Sequence, residues 1–357
     1  MLRTEQKIKN LLRIAAQRGA SDLHLVVGRY PTYRIDGKLY PLNQDAILTP
    51  NDTREIFEVI LDDERKKKME KDGQVDFSYN LEDKVRFRVN AFFQQGYTSI
   101  AFRLISKEIK TLEELNMPDM LYDFTKVSQG LLLIVGPVGH GKSTTLAALI
   151  NEINHKEEKH IVTIEEPIEY VYEQDRSIIN QREVYQDTES FQSALKSVFR
   201  EDANVILIGE MRDLDTISAA ITAAETGHLI FGTLHTNDAA QTIDRIIDVF
   251  PAHQQNQVRS QLANVLLAVV SQRLIPRIDK EGRVPAIELM IKNHAVENLI
   301  RENKSYQISN VIETGSSEGM ITMDKSLADL VRRGLISLEV AQSYSSDRKN
   351  FETILQY

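Results

Sequence analysis

Apolar side chains at Ile8, Leu11, Leu12 and Ala15 recur at the spacing of one helix face, so the chain opens with a helix within residues 1–19 that Gly19 stops. The period then shortens. Runs of strand type follow at 22–27, 33–35, 74–79, 85–93 and 99–105, and Arg34-Ile35-Asp36-Gly37-Lys38-Leu39 reads as two strands joined at a tight Asp-Gly turn. One helical stretch, about 51–71, interrupts them, and its Arg65-Lys66-Lys67-Lys68 run reads as a solvated helix face. From about residue 120 the pattern becomes continuous apolar runs at 131–135, 161–164, 205–208 and 229–231, as expected for strands buried on both faces. Helical segments at 142–154, 188–199 and 213–225 separate them. Such alternation predicts a mostly parallel sheet with helices on both faces. After Pro251 the chain reads as mainly helical. The expected organisation is an α+β domain over 1–106, a linker over 107–118 ending in Met117-Pro118, and an α/β domain over 119–357 with a helical C-terminal extension.

Composition narrows the function classes. The 357 residues suit about two domains. A net charge of −9 argues against wrapping nucleic acid, which calls for a basic excess. There is no cysteine, which removes disulfides, thiolate zinc sites and cysteine nucleophiles and fits a reducing compartment. No apolar h-region follows Met1-Leu2-Arg3-Thr4, so no signal peptide is expected. The longest apolar run, 265–270, is far too short to span a bilayer. The chain is therefore read as cytoplasmic, with any membrane contact peripheral and no direct insertion.

The sharpest chemical signal is Gly136-Pro137-Val138-Gly139-His140-Gly141-Lys142-Ser143-Thr144, which matches G-x-x-x-x-G-K-[ST] between an apolar strand and a helix. Glycines let the backbone curl so that its N–H groups converge on phosphate oxygens, and the following helix adds the favourable end of its dipole. Lys142 is expected to reach the β- and γ-phosphates of ATP, and Ser143 to ligate Mg²⁺. The run 205–208 followed by Gly209-Glu210 is an apolar strand ending in an acid, a pattern that sets a carboxylate beside the phosphate loop to hold Mg²⁺, directly or through water, or to orient the attacking water. Glycine stands where the penultimate aspartate of that pattern usually falls. Glu165 and Glu166 end another buried strand, and because neighbours on a strand face opposite ways only one of them is expected to turn toward the nucleotide. His235, in Thr233-Leu234-His235-Thr236-Asn237, sits at a further strand end on the same edge, with His228 a few residues earlier. Arg86, Arg88 and Arg103 in the first domain, and Arg200 and Arg212 flanking the Glu210 strand, are candidates to stabilise charge on a transferring phosphoryl group.

These stretches, in this order, resemble the type II/type IV secretion ATPases, and within them the pilus retraction (twitching motility) motors. The matching segments are 136–144, 163–169, 205–213 and 226–237, with Ser21-Asp22-Leu23-His24-Leu25 and 34–39 resembling the family's N-terminal domain. The resemblance implies a RecA-like P-loop ATPase domain with a smaller PAS-like N-terminal domain, assembled as a homohexamer in which nucleotide lies between domains. It implies that Glu210 prepares the water, that His235 is the family's histidine-box residue, and that Arg88 and Arg103 reach the nucleotide. It implies pilus retraction at the inner membrane, with a platform protein there as partner and no nucleic acid. The absence of a four-cysteine zinc module and of an extra N-terminal domain favours the retraction branch. An accessory or secretion-type paralogue, a nucleic-acid translocase and a nucleotide-gated regulator are the rival readings. Two segments depart from the family's pattern: Arg200-Glu201-Asp202-Ala203-Asn204, and Ala295-Val296-Glu297-Asn298-Leu299-Ile300, where Glu297 replaces an arginine.

Overall fold

The computed structural model describes residues 2–35, 37–81, 85–105 and 108–356. Asp36 of the expected tight turn, and Ser106 and Lys107 at the expected start of the linker, lie outside the described residues. Two compact units are present: Met1–Glu108 with Pro167–Val171, and Ile109–Glu166 with Tyr172–Tyr357.

The first unit runs α1 (Leu2–Gln17), β1 (Asp22–Leu25), β2 (Thr32–Ile35), β3 (Lys38–Pro41), α2 (Pro50–Ile60), α3 (Asp63–Asp72), β4 (Gln74–Leu81), β5 (Val85–Gln94) and β6 (Tyr97–Ile105). Its strands pair antiparallel in the order β3-β2-β1-β6-β5-β4. The apolar stripe of α1, with Ile8 and Leu12 fully buried, shares a core with Leu23, Leu25, Phe87, Val89 and Phe102. Tyr33 donates its buried hydroxyl to Leu11 O at 2.7 Å. The single helix expected over 51–71 is two. Leu61 is extended (φ −106°, ψ 138°) and buried, and the Asp62 carboxylate accepts the Arg65 N–H at 2.8 Å to cap a new helix. An N-cap acid ahead of a charged run overrides the continuous helical spacing.

The second unit begins with a short helix, α4 (Leu121–Phe124), and continues β7 (Gly130–Val135), α5 (Lys142–Lys156), β8 (His160–Glu165), β9 (Ile178–Glu183), α6 (Phe191–Val198), β10 (Val205–Ile208), α7 (Leu214–Glu225), β11 (Leu229–Leu234), α8 (Ala239–Asp248), α9 (Ala252–Val265), β12 (Leu266–Pro276), β13 (Arg283–Ile291), α10 (His294–Arg301), α11 (Ile308–Thr314), α12 (Met323–Arg332), α13 (Leu338–Tyr344) and α14 (Arg348–Gln356). The strand order is β13-β12-β7-β11-β10-β8-β9, and every pairing is parallel except β12 with β13. Each residue of β7 and β11 is buried, which is why their apolar runs show no alternation.

Two expectations are corrected here. Residues 109–118 belong to the second unit rather than forming a free linker: Leu112 and Met117 are buried, and the Thr145 hydroxyl lies 3.9 Å from Met117 Sδ. The chain after Pro251 is mainly helical as expected, but that expectation left out two strands, β12 and β13, which follow α9. A short apolar run carries no period that separates a buried strand from a buried helix. Pro285 is tolerated in β13 because that strand lies at the sheet edge.

The C-terminal helices fold back on β12 and β13 through a cluster in which Ile275, Leu327 and Phe351 are fully buried. Asp324 in α12 fixes the start of the last helix. Its carboxylate, 4% exposed, accepts Ser346 N–H and Ser346 Oγ–H at 3.0 Å each and Asp347 N–H at 3.3 Å. Replacing Asp324 by Ala removes three acceptor contacts at once and is expected to weaken docking of α14 by about 1–3 kcal/mol. Hydrogen exchange checks this: amides of 346–356 exchange faster in the variant, while those of β7 do not.

Candidate active site

Parallel strands all end on one edge, so the turns after β7, β8, β10 and β11 meet there. The loop after β7 begins at Gly136, whose φ of +140° suits glycine, and a Cβ there would lie 2.3 Å from Gln272 O. It ends at Gly141, a left-handed N-cap from which α5 starts at Lys142. Lys142 is 8% exposed and donates to Gly136 O at 2.8 Å and Pro137 O at 3.0 Å. Ser143 and Thr144 follow, half-buried, while Val138 at the loop tip is exposed.

A chain of contacts crosses this edge. Lys142 Nζ lies 3.1 Å from His235 Nδ1, and His235 Nε2 lies 3.0 Å from Glu210 Oε1. An ammonium only donates, so Nδ1 accepts and the ring proton sits on Nε2, facing the carboxylate. Arg212 Nε donates to the same Glu210 oxygen at 2.5 Å, and this bond holds the Arg212 guanidinium above its ordinary pKa. Strand ends are laced together behind the chain: Thr233 Oγ1 donates to Gly209 O at 2.5 Å, Met211 N–H to Thr233 O at 3.0 Å, and Gly209 N–H to Ile164 O at 2.8 Å.

Of the two acids ending β8, Glu165 is buried and accepts the Thr163 hydroxyl at 2.7 Å and Gln181 Nε2–H at 3.5 Å. Glu166 is exposed and lies within the electrostatic reach of Arg212. His228 and Arg200 are not brought to this edge. His228 precedes β11 and donates or accepts within its own turn, with Nδ1 3.0 Å from Ala223 O, and it meets Phe199 edge-on at 5.8 Å. Six residues of β11 separate His228 from His235, about 20 Å of strand. Arg200 is exposed ahead of β10, at the same far end. A cavity of about 340 Å³ also lies at that end, lined by Gln129, Glu225, Asn264 and Lys292, away from the loop.

In the first unit, Arg34, Asp22, Arg103 and Arg88 are successive cross-strand partners and so share one face of the sheet. Arg103 Nε donates to Asp22 at 2.9 Å, Arg34 Nε lies 3.7 Å from the same carboxylate, and Arg88 Nε lies 3.9 Å from Asp76. The Glu297 departure is also resolved locally: its carboxylate sits 3.5 Å from Lys292 Nζ and 3.5 Å from His294 Nδ1.

Several contributors at the edge carry no motif. Gln272 and Leu274 of β12 and Arg283 of β13 grip the loop, with Leu274 N–H donating to His140 Nδ1 at 2.9 Å and Arg283 Nη1 to Gly139 O at 3.2 Å. Desolvation, helped by Arg283 and Lys142, lowers the His140 pKa and keeps Nδ1 an acceptor. Beneath the His235 turn, Ser271 Oγ donates to Asn237 O at 2.6 Å, and Glu288 accepts the Ala239 N–H at 2.9 Å.

The glycine-framed loop, the start of α5 and the Lys142 ammonium fit nucleotide phosphates by shape and by charge. Comparison with known proteins agrees. A family described as "Type II/IV secretion system protein" matches residues 3–354. The chain is 47% identical to the "Type IV pilus retractation ATPase PilT" of Pseudomonas aeruginosa, over 96% of this chain and 99% of that one. It is 46% identical to a "Twitching motility protein" of Neisseria gonorrhoeae, over 94% and 89% respectively. A solved structure, "Crystal Structure of the Pilus Retraction Motor PilT and Bound ADP", superposes with a TM-score of 0.90 at 46% identity, covering 97% of this chain and 99% of that one.

Glu288 yields a pH prediction. Burial, with Asp238 and Asp324 nearby, raises its pKa to about 7 against the opposing Ala239 N–H and Arg273. A carboxyl whose pKa is raised on folding binds more protons folded than unfolded, so its favourable contribution is present below about 4.5 and is lost as pH rises through about 7. Glu288→Gln keeps an acceptor for Ala239 and cannot ionise. It is expected to melt about 2–4 °C above the parent chain at pH 8, with the gap closing by pH 5; a gap that is the same at both pH values contradicts the assignment.

Proposed function

Because the chain belongs to the type II/IV secretion system protein family, we propose that it is a hexameric ATPase motor that powers retraction of type IV pili. The observation that carries this reading is the Lys142–His235–Glu210 chain of contacts beside a P-loop, in a chain that matches a pilus retraction ATPase and a twitching motility protein over nearly its whole length. No helix among the described residues is long and apolar enough to cross a membrane, which suits a motor that acts on the inner membrane through a platform protein.

Bound ATP with Mg²⁺ supplies the electrophilic γ-phosphoryl group and the metal charge that neutralises it. The backbone of residues 136–144 binds the phosphates, and Lys142 adds a positive charge that its burial strengthens. Ser143 Oγ and Glu210 would hold the Mg²⁺ that neutralises the phosphate charge. Glu210 orients the attacking water and takes its proton at a carboxylate oxygen. His235 Nε2–H and Arg212 hold that carboxylate in place. The Lys142–His235 contact ties the phosphate side of the site to the water side, so a change at one is felt at the other. Within a ring, Arg88 and Arg103 serve the nucleotide of a neighbouring copy. His228 and Arg200 have no part in the chemistry of their own chain's site.

Glu210→Gln keeps the side chain's size and removes the base. Purified variant is expected to bind nucleotide normally and to lose turnover by roughly 100-fold. Placed in the host chromosome, it is expected to give abundant surface pili with no twitching. Missing pili would mean an extension motor, and unchanged pili and motility an accessory paralogue.

A further inference from the structure

We propose that Gln272 is a positioning residue for the phosphate loop: its buried side-chain amide ties loop to helix and aims a loop N–H group. The proposal rests on the reading of residues 136–144 as a phosphate cradle and names a residue outside that motif.

Strand β12 pairs in parallel with β7 so that Ser271 lies opposite Val135, the last strand residue before the loop. Gln272 therefore stands beside Gly136, close enough that its carbonyl fills the space where a Cβ at 136 would be. Its side chain is 3% exposed, and both ends of the amide are used. Gln272 Oε1 accepts the Thr145 hydroxyl of α5 at 2.8 Å, and Nε2 donates to His140 O in the loop at 2.9 Å. A Cβ at Gly141 would meet that same Nε2 at 2.8 Å, so the amide and the loop leave each other no spare room.

The direction of these bonds matters. In a planar trans peptide the carbonyl and the following N–H point opposite ways. Holding the His140 carbonyl toward β12 turns the Gly141 N–H away from β12. Arg283, bonded to Gly139 O, does the same for the His140 N–H. Phosphate binding by a P-loop depends on where such N–H groups point. A buried amide that served packing alone would satisfy itself anywhere in the core. This one spends both its bonds on the loop and on the helix that continues it. Methionine would match its bulk and lose both bonds.

Titration of a fluorescent ADP analogue with Mg²⁺ into the full-length chain tests this with Gln272→Met and Thr145→Val. Both are expected to raise Kd, by about tenfold for Gln272→Met, which loses two bonds, and by less for Thr145→Val, which loses one. In steady state the loss should appear in KM for ATP, with kcat within about threefold, because the loop contacts phosphates in ground and transition states alike. A fall in melting temperature with Kd and KM within twofold of the parent chain overturns the proposal and leaves Gln272 a core residue. Should Gln272→Met not fold, Thr145→Val decides by the same criterion. A parent chain that does not bind the analogue overturns the phosphate-cradle reading instead.

Discussion

A backbone carbonyl and the N–H that follows it are fixed in opposite directions across one planar peptide, so a loop that presents N–H groups to an anion is held in that attitude by whatever grips its carbonyls. That constraint organises the second unit. The carbonyls of Gly136 and Pro137 receive Lys142, that of Gly139 receives Arg283, and that of His140 receives Gln272. The last two donors lie on β12 and β13, which reach the loop only because β12 pairs directly with β7. Fully buried parallel strands follow from the same need, since a loop held from the neighbouring strand is only as rigid as the sheet.

The sheet then sets what stands opposite the loop. Two register-matched strands bring Ile164 beside Ile208, and the Gly209 N–H closes onto Ile164 O. A Cβ at 209 would lie 3.2 Å from that carbonyl and 3.3 Å from Glu165 Cα, so an aspartate there would have to displace the end of β8. Glu165 Cγ lies 3.7 Å from that point, and the carboxylate beyond it accepts the Thr163 hydroxyl. The glycine that looks like a missing acid in the sequence is thus the space into which a neighbouring strand's acid packs.

Motif and strand type were legible wherever one residue pattern had one geometric outcome. The phosphate loop, the acid ending β10 and the histidine ending β11 were such cases, because a buried parallel strand delivers its last residue to a common edge. Elements whose pattern is shared by two structures were not legible. The apolar start of β12 reads equally as a buried helix, β9 is an edge strand with little apolar content, and the break at Leu61-Asp62 depends on one capping carboxylate. His228 shows a different limit. Seven positions from His235 look close along the chain, but those positions are a strand, and a strand carries its ends to opposite edges. The grip on the loop was invisible for a further reason: Gln272 and Arg283 act more than 130 positions away in the chain, through a pairing that no local pattern encodes.

Glu297 stands where the resemblance to the retraction motors leads to the expectation of an arginine, and the structure gives the acid a local rationale. It falls in the first turn of α10, whose N-terminal end favours an acid and disfavours a cation. Lys292, at the preceding strand end, supplies the opposite charge at 3.5 Å, and His294 Nδ1 lies at the same distance. Lys292 also donates to Asn264 O, and Arg301 at the far end of α10 donates to the Asn264 side chain, so both ends of the helix are anchored on α9. Held this way, α10 keeps Val296 and Ile300 in the core and leaves His294, Ala295 and Asn298 outward. Glu297 therefore places an acid where both the helix end and Lys292 favour one.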